Sequence, residues 1–216
     1  MSITLYGLGP SRSFRCLWAL EEAQLPYDFV SLDLAATDES GAKSEGYLKI
    51  NSQGKVPTLV HDDFVLTESA AILNYINALS RESNDRSFVP TERQAHARYD
   101  ELAFFVLSEL EQPLWSTGKH RFALPEEQRI PDMLKTAQWE FNKALAALSK
   151  LLDVSSETSP NIKFAIGNEF SFADILLAQT FDWADRFKFT LPEPYLAYRD
   201  SMFSRPAVVR ALASCT

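Results

Sequence analysis

The chain has 216 residues, of which 46% are hydrophobic and 23% charged, and its 29 acidic against 21 basic side chains leave a net charge of -8. These proportions exclude a disordered or collagen-like chain, and the acidic balance opposes a nucleic-acid backbone. No window reaches the apolar length of a membrane span, and the first residues lack a basic start followed by an apolar core. Cys16, Cys215, His61, His96 and His120 show neither a disulfide framework nor a zinc-type spacing. The expectation is a cytoplasmic protein with no metal, membrane or nucleic-acid partner, with room for one large domain or two modest ones.

Residues 2–6 read as a short strand closed by Gly7-Leu8-Gly9-Pro10, and the apolar spacing of Phe14, Leu17, Trp18 and Leu25 predicts a helix over residues 12–24. Ser11 and Ser13 fall at the start of that helix. The default role of a serine there is to cap free amides. Its hydroxyl, in the positive field of a helix start, also suits a ligand thiolate, so one serine can cap while the other acts. Cys16, a turn further on, reads as a small buried apolar residue. Residues 27–32 are a second strand candidate, reached through a helix long enough for a parallel crossover, and residues 35–49 are polar and partly helical.

Residues 51–76, NSQGKVPTLVHDDFVLTESAAILNYI, form one supersecondary unit. A turn at Gln53-Gly54 leads to a strand over residues 55–60, a turn at Asp62-Asp63, a returning strand over residues 64–66 and a helix starting near Glu68. Pro57 cannot donate to a ladder and holds Val56 extended. Either it is an ordinary edge-strand proline, or the peptide groups beside it face a ligand that pairs with Val56 as an added strand. Glu68-Ser69 also has two readings. It is a plain helix start, or its free backbone donors and the Ser69 hydroxyl hold an anion while Glu68 accepts from an ammonium.

The order β-α-β-α-β-β-α over residues 1–80, with SRSFRCLWALEE as first helix, NSQGKVPTL as the Val-Pro strand and TESAAILNYI as third helix, resembles the cytosolic glutathione S-transferases in their bacterial, serine-containing form. The resemblance implies an α/β, thioredoxin-like, glutathione-binding domain over residues 1–80.

Residues 80–90 are polar and end in proline, as a linker does, and the domain boundary is placed there, with the linker proper at residues 81–90. Beyond it, residues 91–216 read as an all-helical domain. Tyr99, Leu102, Phe105, Val106, Leu110 and Leu114 form staggered apolar rows over residues 95–114, and residues 130–152 follow in the same style. Residues 115–127 read as a connecting loop. Ser171 and Asp174 have the spacing of a capping box, framed by a hydrophobic staple of Phe170 and Ile175. This box resembles the one that starts the buried helix of the transferases' C-terminal domain, here residues 172–185. Ser204-Arg205-Pro206 precedes a last helix over residues 207–214.

What the resemblance implies is glutathione bound as co-substrate and activated for attack on a small, largely apolar electrophile. A cysteine-type thiol has a pKa near ~8.5, so little of it is thiolate at neutral pH, and a hydroxyl with helix amides that prefer the anion raises that fraction. Ser11 and Ser13 are then the catalytic candidates. Ser11 is preferred because the family's active serine tends to sit in the turn before the helix. Ser69 takes the γ-glutamyl carboxylate, Glu68 its ammonium, Val56 beside Pro57 the cysteinyl backbone, and Lys55 the glycyl carboxylate with help from Gln53. Tyr99, Phe105 and Trp115 are the candidates for an electrophile pocket. A catalytic cysteine at the first helix start is missing, and Tyr6 lies too early in its strand for the tyrosine role, which leaves serine chemistry. A homodimer and a detoxifying role are also implied. Two alternatives share the fold. One is a non-catalytic binding or regulatory module, against which the retained Lys55, Val56, Glu68 and Ser69 argue; the other is a glutathione-dependent peroxidase or reductase.

Overall fold

The structure is a computed structural model that describes residues 2–9, 11–152 and 162–215, so Pro10 of the expected first turn lies outside the described residues. The chain divides into two compact units, Met1–Val89 with Phe203–Thr216, and Pro90–Met202.

In the first unit β1 (Ile3–Gly7) runs into α1 (Ser13–Ala23) and returns as β2 (Asp28–Ser31), which pairs with β1 in parallel, Leu5 opposite Phe29. A parallel pair requires such a crossover. Then come α2 (Glu45–Ile50), β3 (Thr58–His61), β4 (Phe64–Thr67) and α3 (Ser69–Asn84), which is the order the sequence predicts. The sheet runs β2-β1-β3-β4, with β3 antiparallel to both neighbours. Leu5 and Leu59 of the sheet are buried, as are Leu17, Trp18 and Leu20 of α1 and Ile72, Leu73 and Ile76 of α3. The apolar stripes of α1 and α3 therefore close one core. α1 stops where Gln24 turns left-handed and returns its N–H to the Leu20 carbonyl.

Three boundaries differ from expectation. β3 begins at Thr58 rather than at residue 55, because the Lys55 carbonyl accepts from the Tyr47 hydroxyl and the Asn51 amide instead of a ladder N–H. Residues 80–84 of the expected linker are the end of α3. Asn84 keeps them helical, accepting from the Ser80 hydroxyl and donating to the Ala23 carbonyl. The last helix, α9 (Pro206–Ala213), groups with the first unit, although the sequence counts it with the helical domain. It buries Ala207, Val208 and Ala211 and packs on α1, where Arg205 forks onto Glu22 at 2.5 and 3.0 Å.

The second unit holds α4 (Arg93–Phe105), α5 (Glu111–Gly118), α6 (Met133–Leu151), α7 (Phe172–Arg186) and most of α8 (Glu193–Phe203). Wide π-helical turns join α4 to α5 at Val106–Leu110 and extend α5 at Lys119–Ala123. The first lies one turn ahead of Pro113, which has no N–H to continue the ladder. Most of the loop expected over residues 115–127 is thus helical, and Trp115 belongs to α5.

α7 is the most buried helix of this unit, and the capping box predicted at its start forms. Asp174, itself fully buried, also accepts from the Ala165 N–H at 2.7 Å and from the Tyr198 hydroxyl at 2.7 Å, besides the Ser171 N–H at 2.8 Å and hydroxyl at 3.1 Å. Burial pushes the Asp174 carboxyl above its usual range while these donors pull it down, and it holds the Tyr198 hydroxyl well above its own range, so that group remains a donor. The sequence spacing alone implies a cap worth about 1 kcal/mol. Removing a hub that satisfies several buried donors costs more. Asp174→Ala is expected to destabilise the chain by about 3 kcal/mol, read as a lower midpoint in denaturant, with glutathione affinity unchanged below that midpoint.

Candidate active site

The turn between β1 and α1 is built on a close approach. A side chain at Gly7 would begin 2.6 Å from the Ser13 Cβ, so only glycine lets the first turn of α1 settle against the end of β1. Ser13 is 0% exposed, and its hydroxyl oxygen accepts the Leu8 N–H at 3.1 Å. Ser11 is half-buried. Its oxygen accepts the Ser13 N–H at 3.1 Å, its hydroxyl donates to the Leu8 carbonyl at 2.6 Å, and the Ser13 oxygen lies 3.0 Å away as a second acceptor. The two serines are therefore held differently. Ser13 is locked into the turn, whereas Ser11 caps with its lone pair and keeps a proton that can swing from a neutral carbonyl to a stronger, anionic acceptor.

Residues 51–57 form a braced loop beside this turn. The Tyr47 hydroxyl reaches the Lys55 carbonyl at 2.6 Å and the Thr58 hydroxyl at 2.8 Å, and the Asn51 amide nitrogen donates to the same two oxygens at 2.9 and 3.0 Å. Asn51 also accepts the Gln53 N–H, and the Lys43 ammonium donates to the Gly54 carbonyl at 2.8 Å. Burial raises the Tyr47 pKa, which keeps its hydroxyl a donor. The side chains of Lys55 and Gln53 are exposed, Val56 is half-buried, and the Val56-Pro57 peptide is cis.

Glu68 and Ser69 stand at the start of α3. Glu68 has φ 67 and ψ 113, a region that non-glycine residues rarely occupy, and its carbonyl accepts the Ile72 N–H at 2.9 Å. The Glu68 side chain is exposed, whereas Ser69 is 4% exposed and its oxygen lies 3.4 Å from a guanidinium nitrogen of Arg15. Arg15 is wholly buried on α1.

Family models match this chain as "Glutathione S-transferase, N-terminal domain" over residues 1–78 and "Glutathione S-transferase, C-terminal domain" over residues 112–206. Glutathione S-transferase Z2 of Arabidopsis thaliana is 31% identical over 200 residues, covering 90% of this chain and 82% of that protein. The chain belongs to the glutathione S-transferase family. Among solved structures, a glutathione transferase from Methylococcus capsulatus superposes with TM-score 0.80 at 26% identity, covering 98% of both chains. A maleylacetoacetate isomerase from Methylobacterium extorquens, crystallised with bound malonate and glutathione, superposes with TM-score 0.73 at 28% identity over 99% of this chain and 97% of that one. Membership of the glutathione S-transferases, read from the residues as a resemblance, is thereby established, and with it the fold and glutathione-dependent transferase activity, while the bacterial, serine-containing form belongs to the proposal below.

In this transferase the thiol of Cys16 is completely buried, and burial pushes its pKa far up against a smaller opposing effect of Arg15, so it is an inert core group. Tyr99, expected at an electrophile pocket, is 1% exposed and packs in the core of the second unit. Phe105 borders a groove with Phe104, Ala146 and Ala147, and Trp115 is half-buried on α5. Among the described residues no group of His, Cys, Asp or Glu is placed to hold a metal ion, and no helix is long and apolar enough to cross a membrane. The sequence reading missed Tyr47, Asn51 and Lys43, which touch the loop rather than a ligand. The only trace of them was an Asn preceding the Gln-Gly turn and a lone Tyr in a polar stretch. Tyr47→Phe is expected to leave the Lys55 carbonyl and Thr58 short of a donor, destabilise the first unit by about 1–2 kcal/mol, and weaken glutathione binding severalfold in calorimetric titration.

Proposed function

We propose that this transferase activates glutathione with the Ser11 hydroxyl. The γ-glutamyl carboxylate binds at the α3 start and the Ser69 hydroxyl, its ammonium near Glu68, the cysteinyl backbone along Val56 beside Pro57, and the glycyl carboxylate near Lys55 and Gln53. The observation that carries this reading is the contrast between the two serines: Ser13 is 0% exposed and committed to Leu8, whereas Ser11 is half-buried with a proton to redirect. Bound thiolate replaces the Leu8 carbonyl as the acceptor of that proton, and the thiol proton leaves to solvent. The positive field of the α1 start favours the same anion. The thiolate then attacks a small, largely apolar electrophile, in a cytoplasmic, detoxifying role. The half-buried Phe105 and Trp115 are the proposed surroundings of the electrophile, whereas Tyr99 is wholly buried.

A second reading is favoured by the similarity to the maleylacetoacetate isomerase named above. The same thiolate would add to a conjugated double bond, allow rotation about the resulting single bond, and leave by elimination, regenerating glutathione. Parallel assays with a reactive aryl halide and with a cis-configured conjugated diketo acid decide between consumption of glutathione and its turnover without loss.

The three serines are expected to fail differently. Ser11→Ala leaves glutathione affinity nearly intact but raises the pKa of the bound thiol, so turnover falls about tenfold to a hundredfold at neutral pH and partly recovers as pH rises. Ser69→Ala chiefly raises KM for glutathione. Ser13→Ala lowers the melting temperature, because the partly buried Leu8 N–H loses its acceptor. Thiolate absorbance of each complex against pH is the measurement. A parent-like titration for Ser11→Ala with an upward shift for Ser13→Ala would transfer the role to Ser13. No shift in either would assign activation to backbone amides.

The transferase is also proposed to be a homodimer. β4 is an edge strand that exposes Phe64, at 49%, and Val65, an apolar edge of the kind that folded chains cover. Light scattering at micromolar concentration is expected to give twice the mass of one chain, and Phe64→Asp to move it toward the mass of one. A parent that scatters as a single chain sinks this proposal.

A further inference from the structure

The turn that carries Ser11 contains two glycines, Gly7 and Gly9, and so has more backbone freedom than a reactive group tolerates. Gly7 is held by Ser13. Gly9 is held by something else. A side chain built on Gly9 would begin 2.7 Å from the Cβ and 2.8 Å from the Sγ of Cys215, so the Cys215 side chain occupies the place beside Gly9 that any other residue would need. Cys215 lies just beyond α9, more than two hundred positions away along the chain.

That segment is tied down by a cluster on α1. The Arg210 guanidinium donates to the Glu21 carboxylate at 2.6 Å and to the Glu21 carbonyl at 3.0 Å. The Tyr27 hydroxyl bridges Glu21, at 2.9 Å, and the Ser214 hydroxyl, at 3.0 Å, and Ser214 in turn reaches the Arg210 carbonyl. One residue further, the Cys215 thiol donates to the Ala211 carbonyl at 3.2 Å. At the other end of α9 the Arg205–Glu22 fork is nearly buried and shares Glu22 with the Trp18 indole N–H. Forked arginine–carboxylate pairs shielded from water are worth more than exposed pairs and fix orientation as well as distance. α9 is therefore clamped at both ends, and its far end is delivered onto the serine turn.

We propose that Cys215 is a positioning residue of the transferase: seated on Gly9 and tethered through Ser214, Tyr27, Glu21 and Arg210, it holds Gly9 and, through it, the conformation in which Ser11–Ser13 present the Ser11 hydroxyl. This rests on the assignment of Ser11 made above. The contact is a neutral one. Burial raises the Cys215 pKa, so the group is a thiol that fills space and donates to Ala211 rather than a nucleophile. Burial also pushes Tyr27 up to about 12, so the tether keeps its bridging proton throughout an alkaline titration of bound glutathione.

The test uses Cys215→Ala, which empties the seat, and Arg210→Met, which cuts the tether at a half-exposed position. Asn77→Ala is the comparison, because Asn77 on α3 accepts the Phe88 and Val89 N–H groups and bonds, among the described residues, to neither the serine turn nor α9, so its loss loosens the first unit by another route. Both strap variants are expected to lower kcat about three- to tenfold at neutral pH, shift the titration of bound thiol upward, leave KM for glutathione within about twofold, and speed amide exchange over residues 8–13. Asn77→Ala is expected to lower the melting temperature alone. Strap variants that behave like Asn77→Ala, with parent-like titration and exchange, overturn the proposal. Ser11→Ala run alongside separates the two claims. If its titration is parent-like the serine assignment fails, and the positioning role is then judged on kcat and loop exchange, where parent-like values overturn it and a joint change sustains it.

Discussion

The contact on which the first unit depends is that of α1 with the end of β1, where the Ser13 side chain sits in the space a Cβ at Gly7 would fill and takes the Leu8 N–H. It fixes where α1 begins relative to the sheet, and hence where the positive end of that helix points. The Gly7 carbonyl accepts the Leu32 N–H at 2.8 Å, so the same residue also ties down the chain leaving β2. A serine buried for this purpose cannot also serve a ligand. Its half-buried neighbour, Ser11, is the one whose hydroxyl lies nearer the surface.

Around this contact the unit spends polar groups on rigidity. Tyr47, Asn51 and Thr58 satisfy one another and the Lys55 carbonyl in a buried network, so the loop ahead of Pro57 is held without strand ladders and its outward groups are left for another molecule. Glu68 shows the opposite economy. Its backbone occupies a sparsely populated region at a cost on the order of 1–3 kcal/mol. What that conformation achieves is an abrupt start to α3, with Ser69 beside the buried Arg15.

The second unit solves a different problem with the same chemistry. Asp174 is a buried carboxylate that collects backbone, serine and tyrosine donors from three segments, and desolvation of its charge is offset only because every one of them is in place. Nothing about it suggests turnover. A buried acid whose carboxyl is pushed above its usual range is here a structural hub.

The order of elements of the first unit, the capping box at Ser171 and Asp174 and the family itself were legible in the sequence. Each rests on periodicity or turn chemistry acting over a few residues. What the sequence could not decide was burial and partnership across long separations. Which serine is locked depends on Leu8 and Gly7 meeting a helix that has not yet formed when the chain is read as a string. Tyr99 and Phe105 belong to staggered apolar rows, about 120° apart round the helix, and one packs in the core while the other borders a groove, because the stripe they widen exceeds the surface that covers it. The grouping of α9 with the first unit is set by Arg205 and Arg210 finding Glu22 and Glu21, partners 183 and 189 positions away. Local propensity makes α9 a helix with a buried face. Only the folded surface of α1, with its two glutamates and its glycine turn, determines where that face is buried.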